Sequence, residues 1–144
     1  MTSFLFWQRW LLVLGIAFVV FGAVLTLPFG ASMFDSLINP IFWGTEHIPP
    51  PANAFKLFVY GVLGAAMVGW GGLLAFIAYH PFRQKRPWAW KCLATVFPVW
   101  FVFGLYVSMR GGVYWNVVGD ILFFLMVMMP VCFTRRDFAN ANKR

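Results

Sequence analysis

Four stretches of this chain are apolar for long enough, and free enough of charge, to be read as helices in lipid. The first runs from Trp10 to Phe34 without a formal charge. Pro28 and Gly30 are expected to stop its helix, which leaves a span over residues 10–29. The second, residues 57–79, is uncharged throughout. The third, residues 92–109, is shorter and carries Pro98, and the fourth, residues 113–133, holds Asn116, Asp120 and Pro130. At 1.5 Å per residue, roughly 20 residues cross a hydrocarbon core. No stretch alternates with the period of two that a barrel needs, and open strands leave backbone groups unpaired in lipid. The first run exceeds the roughly 7–15-residue apolar core of a cleaved signal peptide, so it reads as a retained helix. The pattern predicts an all-α, integral membrane four-helix bundle, one transmembrane domain over residues 1–144.

The connection from Ala31 to Ala54 is the one substantial loop. Its Phe34, Leu37, Ile38, Ile41, Phe42 and Trp43 are too few to span and too apolar for open water. They predict a short interfacial helix or a re-entrant cap. Pro49, Pro50 and Pro51 are expected to form a stiff extended lead into the second span.

Composition excludes what the pattern already disfavours. Of 144 residues, 62% are hydrophobic and 10% charged, against about 45–50% and about 25% in soluble domains. A soluble chain this short cannot bury so much apolar surface. Soluble enzymes, nucleic-acid-binding domains and disordered tails are thereby set aside. The net charge of +7 becomes a statement about orientation. Arg9, Arg83, Lys85, Arg86, Lys91, Arg135, Arg136, Lys143 and Arg144 fall on one side of the predicted topology, and only Lys56 and Arg110 on the other. Basic residues collect in the cytoplasm, so both termini are expected there, in the inner (plasma) membrane. Trp7, Trp10, Tyr79, Trp88, Trp90, Tyr114 and Trp115 sit near span ends, as interfacial belts do. Cys92 and Cys132 form no CxxC pair and read as small buried apolar residues on the cytoplasmic side.

Three features bear on function. Gly61, Ala65 and Gly69 repeat every four residues in the second span, a spacing that lets two helix backbones approach closely. They predict a helix-packing interface, either within the bundle or with another subunit. Asp120 is the one acid inside a predicted span, where a charge is costly and seeks a partner or water. Asn116 lies one turn before it, and Arg110 is within reach from the short turn. The three predict either a ligand or proton-titrating site or an Arg110–Asp120 ion pair that pins the hairpin. In the basic turn, Arg83, Lys85, Arg86, Trp88, Trp90 and Lys91 predict contact with anionic lipid headgroups. Nucleic acid is not expected, because the segment is short and tied to two spans.

Catalysis has no visible constellation: GxSxG, a Walker loop and HExxH are all missing from the sequence, so no enzyme is expected. No metal or cofactor is expected either. A pigment or haem at His80 is the competing reading to a capping or headgroup role, and His47 falls on the opposite side of the membrane.

Gly61 to Gly71, then Pro81-Phe82-Arg83, then Trp88-Ala89-Trp90, resembles small bacterial four-helix membrane proteins of DoxX-like layout, over about residues 55–135. The resemblance implies the same fold and a helper role beside membrane redox systems. It carries no catalytic residue across. The sequence therefore favours a non-catalytic accessory or assembly subunit of a larger membrane complex, redox or photosynthetic. The alternative is a small transporter or apolar-ligand-binding protein, alone or as a homo-oligomer, with its polar site at Asp120.

Overall fold

The computed structural model describes residues 2–141. Lys143 and Arg144, counted above for orientation, lie outside the described residues. The chain forms α1 (Thr2–Leu25), α2 (Pro28–Ser32), α3 (Asp35–Trp43), α4 (Pro50–Ile77), a π-turn (Ala78–Phe82), α5 (Pro87–Arg110) and α6 (Tyr114–Ala141). No strand occurs among the described residues. Four helical segments, Ser3–Leu25, Pro50–Phe82, Pro87–Arg110 and Tyr114–Ala139, are long and apolar enough to cross a membrane. The fold is the all-α four-helix membrane bundle that the hydropathy pattern predicts, and the protein is a multi-pass membrane protein.

The boundaries differ from the sequence reading for one reason: hydropathy marks where lipid ends, not where hydrogen bonding ends. Helix α5 begins at Pro87, five residues before the apolar run, and α6 continues through Arg135 and Arg136 to Ala141. The proline triplet is not an extended lead. Helix α4 starts at Pro50, because proline at the first helical positions sacrifices no hydrogen bond and presets φ.

The chain divides into two compact units, one of residues up to Leu14 together with those from Leu73 on, the other Gly15–Gly72. The first draws on all four long helices. Its core holds Phe4 and Leu11 of α1, Leu74 and Ile77 of α4, Ala78 and Phe82 of the π-turn, Leu93 and Phe97 of α5, and Val127, Val131 and Phe138 of α6. At one end Phe82 stacks on Phe4 with centroids 5.8 Å apart and meets Phe138 at 4.8 Å. Many large apolar side chains, among them Phe103, Val107 and Phe133, are exposed, whereas Gln8, Ser108 and Thr134 are buried. In water such an apolar exterior drives aggregation. In lipid it carries no such cost, and polar groups are the ones that gain from burial against partners.

Two prolines shape this unit, and α1 donates to a backbone carbonyl near each. Pro130 has no N–H to give the Met126 carbonyl four residues earlier. Trp10 Nε1 donates to that oxygen instead, at 3.0 Å. Pro81 likewise breaks the α-helical ladder, and the chain widens into the π-turn. There Gln8 Nε2 donates to the Ala78 carbonyl at 3.0 Å. Helix α1 thus satisfies the carbonyl that Pro130 releases and one that the π-turn presents, which is how membrane helices tolerate such breaks. Trp10→Phe is expected to lower stability by about 1 kcal/mol, within the range seen for interhelical hydrogen bonds in membranes. In a Pro130→Ala background, where the helix satisfies Met126 itself, the loss should shrink towards zero. Thermal melts of the four proteins in one detergent measure this coupling.

The second unit comprises the rest of α1, α2, α3 and α4 up to Gly72. Helices α1 and α4 approach at glycines spaced seven apart on each. A Cβ on Gly71 would stand 2.7 Å from the Gly15 carbonyl oxygen, and one on Gly64 would stand 2.5 Å from that of Gly22. The contact is backbone to backbone, and only glycine permits it. The predicted interfacial segment is present as α2 and α3, which have 5 and 9 residues and are too short to span. Helix α3 buries Asn39 and exposes Leu37, Ile41, Phe42 and Trp43, the polarity that an interfacial helix needs when its outer face meets acyl chains. Gly44 closes α3 in the left-handed conformation, with φ of 68°.

Candidate functional site

Asp120 stands on α6, one turn after Asn116, and faces Ser108 and Gly104 of α5. Asn116 Nδ2 donates to Ser108 Oγ at 2.8 Å and to Asp120 Oδ2 at 3.2 Å. Ser108 Oγ in turn donates to Asp120 Oδ2 at 3.3 Å. A Cβ on Gly104 would lie 3.3 Å from that same oxygen, so the glycine leaves room for the carboxylate. Ser108 is buried and the other two are half-buried. Asp120 lies about 9 Å along α6 from its first residue, at 1.5 Å per residue. The arrangement is a small polar notch whose carboxylate accepts two hydrogen bonds on one oxygen. It suits a proton or a small cation.

The structure brings together Asn116 and Asp120 as expected, and it overturns the ion pair. Arg110 Nη1 donates to the Tyr106 hydroxyl at 3.0 Å. Among the described residues the ion pairs are Lys56–Asp35 and Lys85–Asp137. Arg110 closes α5, and its partner lies one turn back on that helix. An exposed guanidinium there keeps its hydration, whereas reaching Asp120 would draw it towards lipid.

The close approach of α4 to α1 does not use the anticipated row. A Cβ on Gly61 or Gly69 would meet nothing within 4 Å, and Ala65 is exposed. Within the chain, Gly64 and Gly71 make the contact instead. A repeat of four and a repeat of seven overlap in this glycine-rich helix, and spacing alone does not say which face is turned inward.

The basic turn divides as well. Arg83, Arg86, Trp88 and Lys91 are exposed. Lys85 and Trp90 turn inward. Lys85 adopts φ of 56°, pairs with Asp137 at 3.4 Å and lies 4.6 Å from the Phe4 ring centroid. Trp90 Nε1 donates to the Val131 carbonyl at 2.7 Å, so it ties α5 to α6. His80 is exposed with its ring against Phe76 and Tyr79, and His47 is exposed in the loop before α4. Cys92 is half-buried and Cys132 exposed, so the second is not the buried residue the sequence suggests. Among the described residues, no group of three or more His, Cys, Asp or Glu is placed to hold a metal.

One polar cluster escaped the sequence reading. Lys56 of α4 is 5% exposed and its Nζ pairs with Asp35 at the start of α3. One turn along α3, Asn39 is 1% exposed; its Nδ2 donates to the Glu46 carbonyl at 2.8 Å, and its Oδ1 is buried without a partner. Phe34 stacks on Tyr60, one turn after Lys56, at 6.5 Å. The signal available in sequence was a single lysine on the basic-poor side beside an apolar loop holding a single aspartate near its start.

Comparisons with protein-family models, with curated proteins and with solved structures give no match to this chain.

Proposed function

We propose that the protein is a non-catalytic accessory or assembly subunit that docks against a larger protein in the bacterial inner membrane. The observation that carries this reading is the uncovered row of Gly61, Ala65 and Gly69 on α4. Lipid gains nothing from small side chains, whereas a partner helix gains close packing. The DoxX-like resemblance of the same helix and the turn after it supports a helper role, with a membrane redox complex as the class of partner.

Extraction in a mild detergent followed by native mass measurement is expected to find the chain at a fixed ratio with larger subunits. Ala65→Trp, at an exposed position, should release those subunits while the thermal midpoint of the protein stays put. A chain that travels alone or as a small homo-oligomer overturns the proposal. The second reading then takes its place, a transporter or ligand-binding protein built on Asp120. What favours it is a carboxylate inside a span held by Ser108 and Asn116 with no cationic partner among the described residues.

A further inference from the structure

A groove of about 190 Å³ opens at the basic end of the bundle, lined by Leu5, Gln8, Arg9 and Leu12 of α1 with Tyr79 and Arg83 from the π-turn and just beyond it. We infer that this groove seats the phosphate of one anionic lipid, held between the Arg9 and Arg83 guanidiniums.

Four observations converge on that ligand. The first is charge. Two arginines and no acid line the groove, and neither arginine has a carboxylate partner among the described residues. Guanidinium forks match phosphate oxygens in pairs. Two like charges facing one small space are unfavourable until an anion enters it.

The second is the floor. Gln8 is 4% exposed, and its Nε2 is fixed on the Ala78 carbonyl that the π-turn presents. A buried amide anchored at one end gives the groove a polar wall that does not collapse. The Arg83 guanidinium lies 5.8 Å from the Tyr79 ring centroid, which restrains it on the groove's other side.

The third is size. The volume falls below the roughly 300–1,000 Å³ of clefts that enclose drug-sized ligands. It suits a phosphate with its glycerol and is too small for a quinone or a haem.

The fourth is continuity with lipid. Val13 stands one turn deeper along α1 than Arg9, and Phe76, near the end of α4, stands one turn deeper than Tyr79. Both are exposed apolar side chains, and they give acyl chains a surface leading away from the phosphate. A soluble phosphate has no use for them. The site depends on neither the accessory reading nor the Asp120 reading.

The test uses the full chain in nanodiscs of phosphatidylcholine doped with phosphatidylglycerol, with bound lipid counted by native mass spectrometry after release into detergent. The expected result is one phosphatidylglycerol retained per chain, favoured over phosphatidylcholine by roughly 30-fold, the factor two guanidiniums give at their usual surface contribution. Arg9→Gln with Arg83→Gln should abolish the preference, and Lys91→Gln should keep it. Leu5→Trp fills the groove without altering the charge and should also abolish it. Retention by Leu5→Trp at the level of the unaltered protein means diffuse attraction to the basic end and overturns the site. Displacement of the lipid by millimolar glycerol phosphate means a soluble phosphate ligand and overturns the lipid assignment. Equal retention of both lipids by the unaltered protein overturns the whole inference.

Discussion

Alanine at Gly64 or Gly71 is expected to destabilise the protein, while alanine at Gly61 or Gly69 is expected to leave it unchanged or more stable. At Gly64 the added Cβ would stand 2.5 Å from the Gly22 carbonyl oxygen and 3.0 Å from the Thr26 backbone nitrogen. At Gly71 it would stand 2.7 Å from both the Gly15 oxygen and the Val19 nitrogen. These are backbone atoms of a continuous helix and do not swing aside as a side chain does. The two helices must separate, and every contact along the seam loosens with them. Overpacking of this kind costs about 1–3 kcal/mol, occasionally more. Replacing glycine by alanine inside a helix returns at most about 1 kcal/mol of propensity, which does not offset it. At Gly61 and Gly69 that return is unopposed, because a Cβ there meets nothing within 4 Å. Thermal unfolding of the four single variants in one detergent decides the matter. Equal midpoints across the set would sink the assignment of the packing face.

Asp35→Ala should be nearly as damaging, through charge and not shape. Lys56 is buried, and its ammonium has Asp35 as its ion partner. Removing the carboxylate strands a cation in a poorly hydrated site, which costs about 3–5 kcal/mol when a buried pair loses one member. The Asp35 side chain is 34% exposed, so water relieves part of this and the lower end of the range applies. The paired change Asp35→Leu with Lys56→Met removes both charges at similar volume and should restore most of the stability. Denaturation of the two single variants and the double variant in detergent gives the coupling directly. If the double variant is as weak as the sum of the singles, the pair does not hold α3 to α4.

The two expected effects arise from features of unequal visibility in the chain. The glycine-rich second span is conspicuous in the sequence, but Gly61-Ala65-Gly69 and Gly64-Gly71 compete as its packing face. Helix α1 resolves the choice by presenting Gly15 and Gly22 at the matching seven-residue spacing. The Lys56–Asp35 pair spans 21 positions, and no local rule joins residues so far apart across two helix starts. Arg110 illustrates the reverse error. It is near Asp120 along the chain, yet its own Tyr106, one turn back, is the partner it finds. Proximity in sequence was the wrong guide at one site and distance the wrong discouragement at the other. The turn residues Lys85 and Trp90 follow the same logic, since what they bind, Asp137 and the Val131 carbonyl, lies on a helix about 40 residues or more away.

What the sequence determined by itself is the solvent and the secondary structure. Long uncharged runs have one stable form in lipid, the helix, because every backbone donor and acceptor must be paired within the segment. Four such runs fix an all-α membrane protein before any packing is considered. The tertiary structure decided which faces meet. In lipid the apolar effect does not distinguish the inward side of a helix from the outward one, so hydropathy carries almost no facing signal. Backbone approach at the glycines, ion pairing, and side-chain donors to the carbonyls of Met126 and Ala78 decide the faces instead. Each of those depends on residues contributed by different helices. That is why the bundle, and the Asn116–Asp120 pair one turn apart on one helix, were legible along the chain, while the seams, the Ser108 side of the notch and the groove were not.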